Sequence, residues 1–407
     1  MHTRHLPPIA LRCLALTAIC IALWSSAPAS GQALCPLPTD WPHAWVVTNV
    51  DIVDTASGEL RQNGWVAVEG ETITGVARQS GEPPPVGMQR IDGCGRTLVP
   101  GLADMHVHLD PDDLEDYLSA GVTTVRNLWG WPGLPALIDQ LERRDLDGPT
   151  VFAMSPGLDG PPEYWPFTQL VMTPEQGREA VRKQVRAGWK TLKLYQDLSH
   201  DTYLAIVDEA KKSGLDYGGH VSRKVGIHLA LASGHRFIEH LSGYGVALNP
   251  LGQGGAFAWR SIDESGFPDL IAATLKAGAW NSPTLAIFSL IAKGDPVVRQ
   301  NRQRFVRALF DSGAPLLIGT DAGIGRTAPG ASIHDEMQEF LDAGIPAPDV
   351  LRIATVEAAR FLDQEGRFGQ ILQGSRADIL FITGNPLEDL SLLRSPEAVV
   401  LRGRRIQ

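Results

Sequence analysis

Ala103-Asp104-Met105-His106-Val107-His108 is a short apolar run that closes on two histidines, the first of eight such runs. The others are Thr123 to Leu128, Thr150 to Ser155, Thr191 to Tyr195, Asp216 to His220, Arg236 to His240, Trp280 to Leu285 and Leu316 to Asp321, with helical patterns between them. Strand and helix repeated in this way predict an α/β chain folded as a (β/α)8 TIM barrel over residues 99–365, not an open doubly wound sheet. No Gly-x-Gly-x-x-Gly turn follows the first run to argue otherwise.

The flanks are β in pattern. Trp65-Val66-Ala67-Val68, a turn at Glu69-Gly70 and Glu71-Thr72-Ile73-Thr74-Gly75 mark residues 34–98, and Ala377 to Ile382 and Ala398 to Leu401 mark residues 366–407. The two ends are expected to form one small β-sandwich into which the barrel is inserted, since termini and barrel ends both lie at a surface.

Residues 1–33 read as a signal peptide. Arg4 and Arg12 supply positive charge, Cys13 to Trp24 is apolar or small apart from Thr17, and Ala27-Pro28-Ala29 offers a cleavage site. The run is too short to span a bilayer, so a periplasmic or secreted chain, free of the membrane after cleavage, is expected. Cys13 and Cys20 would leave with the signal, and Cys35 and Cys94 are then either a disulfide or two unrelated thiols.

A 407-residue chain that is 43% hydrophobic and 20% charged is globular in composition, and its net charge of −10 without a basic cluster argues against a nucleic-acid partner. A small-molecule substrate fits better, and the composition leaves room for a homo-oligomer.

The polar ends of the runs carry the chemistry. His106 and His108 close the first, Lys193 the fourth, His220 the fifth, His240 the sixth and Asp321 the eighth. Active sites of such barrels are built at the C-terminal ends of the strands. Residues i and i+2 of a strand share a face, so His106 and His108 can hold one ion while Val107 points away. Each residue alone has a plainer reading: a satisfied buried histidine for His220 or His240, a helix cap for Asp321, an interior lysine paired with Asp321 for Lys193. Six metal-compatible residues from five strands make a stronger case together. Lys193 is the odd member, because an ammonium only donates and repels divalent ions.

In Val99 to His108, Thr191-Leu192-Lys193-Leu194-Tyr195, Gly218-Gly219-His220, Ile238-Glu239-His240, Ser282-Pro283-Thr284-Leu285 and Gly319-Thr320-Asp321-Ala322-Gly323, the chain resembles the amidohydrolase superfamily. Within it the similarity is to the imidazolonepropionase-like and prolidase-like binuclear group, and Ala354 to Ala359 and Gly374 to Asp378 share it. The resemblance implies that CO2 carboxylates Lys193 to a carbamate bridging two divalent ions. His106, His108 and Asp321 would complete one site, and His220 and His240 the other. Zinc suits imidazole and carboxylate ligands, with manganese and cobalt as rivals. A hydroxide shared by the ions would attack the substrate carbonyl, with Asp321 as the catalytic residue that moves the proton. Lys190, three residues from Lys193, would point from the opposite face.

The implied function is hydrolysis of an amide, in a dipeptide or an N-acyl amino acid. The alternatives are a lactone, carbamate or aryl ester hydrolase or a deaminase on the same centre, and, from another class, a non-catalytic metal- or ligand-binding protein. Tyr195 and Arg223 are candidate substrate contacts, for a carbonyl oxygen and a carboxylate. Trp129-Gly130-Trp131 and Tyr164-Trp165-Pro166-Phe167 read either as an aromatic rim or as packed loop corners. His334 is expected on a surface helix, and His228 and His235 in ordinary helix or loop positions.

Overall fold

The alternation around Gly70 becomes a pair of antiparallel strand pairings. β1 (Ala44–Asp54) pairs with β2 (Glu59–Glu69), and β2 turns at Gly70, φ 58°, into β3 (Thr72–Val76). β4 (Gln89–Pro100) runs parallel to β1 on its other side. The computed structural model describes residues 35–77 and 79–407, so the expected signal peptide lies outside the described residues.

Nine strands follow in chain order, seven from the apolar runs and two short ones between the third and fourth runs. Named strands are β5 (Leu102–Val107), β6 (Val122–Asn127), β7 (Thr150–Ala153), the short β8 (Leu158–Asp159) and β9 (Gln169–Leu170), β10 (Thr191–Leu194), β11 (Asp216–Gly219), β12 (Phe237–Glu239) and β13 (Trp280–Ser282). β5, β6 and β7 pair in parallel, as do β10 to β13. Ser155 N donates to Thr191 O at 3.0 Å and links the two sets. Helices such as Pro174–Arg186, His200–Lys212 and Pro296–Asp311 stand between the strands, each of these three started by a side-chain cap from Thr173, Ser199 or Asp295. The architecture is α/β and of the TIM-barrel type.

The eighth run, Leu316 to Asp321, is not a regular strand. It holds its place by parallel bridges from Leu316 to Asn281 and from Ala322 to Val107, and by Met105 N donating to Ile318 O at 2.8 Å. The reason is chemical. Thr320 turns its amide and its hydroxyl onto the Asp104 carboxylate, at 3.1 and 2.6 Å, and Asp321 adopts φ 58°, so the ladder is given up to the site.

The expected sandwich takes a different form. β14 (Ile379–Ile382), β15 (Ala398–Leu401) and β16 (Arg404–Arg405) join β4 and the N-terminal strands in one seven-stranded sheet of order β16-β15-β14-β4-β1-β2-β3. Asn49, at φ 56°, interrupts the register between Thr48 and Val50, and such a bulge bends a strand. A bent sheet can wrap its own core, here Trp45, Val47, Ile91, Phe381 and Val400 among others. Cys35 and Cys94 form a disulfide, with Cα atoms 5.9 Å apart, which fastens the start of the described chain to β4 across 59 residues of sequence.

Candidate metal centre

His106 and His108 leave β5 on one side, as the i, i+2 spacing predicts, and each places its Nε2 3.0 Å from Asp321 Oδ1. His240 Nε2 stands 4.0 Å from the other oxygen, Oδ2. The ligand-type atoms of His106, His240 and Asp321 all lie within 4.8 Å of one another, and all three residues are buried. His220 joins them through its ring, centred 4.6 Å from that of His240.

The protons point the other way. His106 Nδ1 lies 2.6 Å from Glu239 Oε2, and a carboxylate oxygen only accepts, so the ring donates there. Thr284 Oγ1 gives its hydrogen to Pro283 O at 2.8 Å and so accepts from His240 Nδ1 at 2.7 Å. In their neutral forms both rings therefore turn bare Nε2 lone pairs toward the Asp321 carboxylate. Acceptors facing an acceptor at 3.0 Å need a proton or a cation between them. Consistently, the His106 imidazolium is favoured: burial works against it, but Glu239 and Asp321 outweigh burial and raise its pKa. Burial would likewise raise the Asp321 carboxyl, yet His106 and His240 hold it well below the usual range.

Lys193 is buried, and its Nζ has no hydrogen-bond partner. It is not paired with Asp321, as a structural lysine would be. Burial pushes its pKa down to about 8, against the pull of Glu239 and Asp321. With His108, His220, His240 and Asp321 it lines a cavity of about 30 Å³, beneath Trp129, Trp165 and Tyr195. Gly219, φ 124°, makes this approach possible, because a Cβ there would lie 2.9 Å from Lys193 Cδ and 2.5 Å from Leu194 O. Lys190 is exposed, in the bend before β10. His106, His240 and Asp321, gathered beside the unpartnered Lys193 amine, form a donor set that fits a divalent ion.

Sequence reasoning missed the residues that hold these groups. Glu239 is fully buried, bonded to His106 on one side and to Arg126 Nη2, at 2.6 Å, on the other. Burial would raise its pKa, but Arg126 and His106 keep it far below the ordinary carboxylate range. Asp104 accepts from the His106 amide at 3.1 Å and ties the first segment to the eighth. Arg302 donates to His240 O and Pro283 O at 3.1 and 2.7 Å, and so braces His240 and Thr284, which hold φ of 63° and 49°. A signal existed for each: charges inside apolar strand runs, and an arginine on the buried Val298, Phe305, Val306, Leu309 stripe of its helix.

Carboxylates that hold the far ring nitrogen of a metal-binding imidazole typically carry about 10–100-fold in metal affinity. Glu239→Gln should therefore weaken metal binding by about that factor, measured by competition with a chelator. Unchanged affinity would show that Glu239 supports only the fold.

The aromatic loops divide. Trp165 stacks over His108, ring centroids 6.2 Å apart, and donates to Tyr195 OH at 2.7 Å, and Trp129 reaches the same cavity. Trp131 instead packs against the barrel core, and Phe167 is exposed. Arg223 lies outside the small cavity, its side chain 59% exposed and 3.6 Å from Asp197. His334 is not on a surface: its helix turns Ile333, His334, Met337 and Phe340 inward, and the ring donates to Ala120 O at 3.0 Å. His235 is also buried, beside Tyr203, while His228 is exposed.

A model of the amidohydrolase family matches residues 97–406. The chain belongs to the amidohydrolase family. This amidohydrolase is accordingly a hydrolase acting on carbon–nitrogen bonds. It is 25% identical to the ochratoxinase of Aspergillus niger over 379 residues, which span 74% of this chain and 73% of that one. The solved ochratoxinase structure covers 89% of this chain and 95% of its own, with a TM-score of 0.69 and 20% identity. A Xaa-Pro dipeptidase with bound methionine in its active site shares the fold at a TM-score of 0.71 and 21% identity, over 89% of this amidohydrolase and 100% of that chain. A bottromycin amidohydrolase matches at 0.71 and 25%, over 91% and 88%.

Proposed function

We propose that this chain is an exported, two-metal amidohydrolase that cleaves the amide bond of a dipeptide or an N-acyl amino acid. The observation that carries the reading is the buried, unpartnered Lys193 Nζ facing the same cavity as His108, His220, His240 and Asp321. A carbamate there, with His106, His108 and Asp321, would hold one ion, and with His220 and His240 the other. Bound divalent ions, zinc by ligand type, supply Lewis-acid polarisation of a carbonyl and a water acidified toward neutral pH.

The chain's own groups do the rest. Asp321 Oδ2, the oxygen not engaged by His106 and His108, takes a proton from the attacking water and returns it to the leaving nitrogen. An amide nitrogen needs that proton, because it leaves poorly as an anion. Tyr195 OH accepts from Trp165 and so keeps its own hydrogen for a substrate carbonyl oxygen. Trp165, over His108, keeps bulk water from the centre. Export is supported by the apolar N-terminal segment and by the Cys35–Cys94 disulfide, which suits an oxidising compartment. A Xaa-Pro dipeptidase and a bottromycin amidohydrolase share this fold, in keeping with amide cleavage.

The test is a panel of dipeptides and N-acyl amino acids against lactones and aryl esters, compared by kcat/KM. Preference for amides supports the reading, and preference for lactones or esters moves this centre to the alternative chemistry.

A further inference from the structure

Glu336 is fully buried in the helix Ser332–Asp342, and nothing in the proposed chemistry uses it. Its two oxygens accept from the main-chain amides of Leu285 and Ala286, at 2.8 and 2.7 Å, across 51 and 50 residues of sequence. These are the first two amides of the helix Leu285–Ile291, and the first amides of a helix have no partner within it. Burial pushes the Glu336 carboxyl up to about 8, against the pull of those amides and of the Arg302 cation. An apolar side chain would be cheaper to bury, but it could not hold the amides.

The residue placed by sequence to hold one of them is Thr284. It stands at the helix N-cap, where a threonine hydroxyl ordinarily accepts from the second or third amide. Here it makes no such bond. Its Oγ1 accepts from His240 Nδ1 at 2.7 Å instead, with its own hydrogen on Pro283 O. The backbone at Thr284 is left-handed, φ 49°, a costly state for a β-branched residue, so the turn has to be held from outside. Two buried side chains grip it from opposite ends. Arg302 donates to Pro283 O at 2.7 Å, and Glu336 accepts from the amides beyond Thr284.

We propose that Glu336 is a positioning residue of the metal centre: by capping the helix in place of Thr284, it releases the Thr284 hydroxyl to fix the tautomer and direction of the His240 ring. The proposal rests on the two-metal reading above, in which His240 is a ligand. Without Glu336, Thr284 turns its hydroxyl to the free Ala286 amide. His240 then loses the acceptor that keeps its proton on Nδ1 and its Nε2 bare.

Glu336→Gln tests this, since Gln keeps one oxygen for one amide and presents hydrogens to the other. Imidazole nitrogen NMR of the metal-free protein, with the His240 signals assigned by their loss in His240→Asn, should show the Nδ1–H tautomer in wild type and a mixture in the variant. Zinc affinity, by chelator competition, should fall about tenfold. Thr284→Val removes the acceptor but leaves Glu336 in place, and it should match both effects. Combining the two substitutions should cost no more zinc affinity than either alone, because both act through one hydroxyl, whereas independent structural roles add. If Glu336→Gln does not fold, unchanged zinc affinity and tautomer in Thr284→Val would still overturn the proposal. The tautomer shift in a protein whose wild type binds no divalent ion would uphold the clamp and sink the two-metal reading. A His240 tautomer unchanged in Glu336→Gln, or zinc losses that add in the double variant, would leave Glu336 as a helix cap and nothing more.

Discussion

Asp321→Asn is expected to keep the fold and to lower kcat by about 10²–10⁴-fold, the usual share of a positioned acid–base group. Asn keeps an oxygen where Oδ1 meets His106 and His108, so the geometry changes little. It cannot take a proton at Oδ2. Circular dichroism and metal content should match wild type while steady-state turnover collapses. Loss should be greater on amides than on activated esters, whose leaving groups need less protonation. An active, metal-loaded Asn variant would remove Asp321 from proton transfer.

Lys193→Ala should empty one or both metal positions and abolish turnover, with no loss of stability when both proteins are compared metal-free. The two halves of that statement separate the readings of Lys193. A buried charge without a partner contributes nothing favourable to folding, and its removal is commonly neutral or stabilising. A lysine whose carbamate bridges two ions is different, since its removal takes away a ligand of each. Formate or acetate, small enough for the space vacated, should restore part of the metal and part of the activity. Full metal and full activity in the alanine variant would dismiss the bridge.

Much of the fold was legible because its signals are local. Seven of the eight apolar runs are strands, each marked by a few β-forming residues between turns. The eighth hid its irregularity, because Thr320 and Asp104 divert its hydrogen bonds over a sequence separation of 216 residues. The terminal strands were expected to join in one β unit, but not as a single bent sheet, which depends on the bulge at Asn49 and on pairing between β4 and β14.

At the site, residues at strand ends could be found by position: His108, Lys193, His220, His240 and Asp321 share one small cavity, and His106 lies behind it against Asp321. Their supports could not. Glu239 and Arg126 read singly as charges in apolar strands, and their meaning comes from a contact across 113 residues. Arg302 needed its helix face and its two carbonyl partners together. Tyr195 lies in the small cavity and Arg223 outside it, a division no spacing rule gives.

Metal analysis and native intact mass of the purified wild-type protein test the central claim most directly. The account predicts two divalent ions per chain and a mass exceeding apoprotein plus metals by one bound CO2, with the CO2 and one or both ions lost when Lys193 is replaced by alanine. A single ion, or none, with no CO2 adduct and no dependence on Lys193, would contradict it.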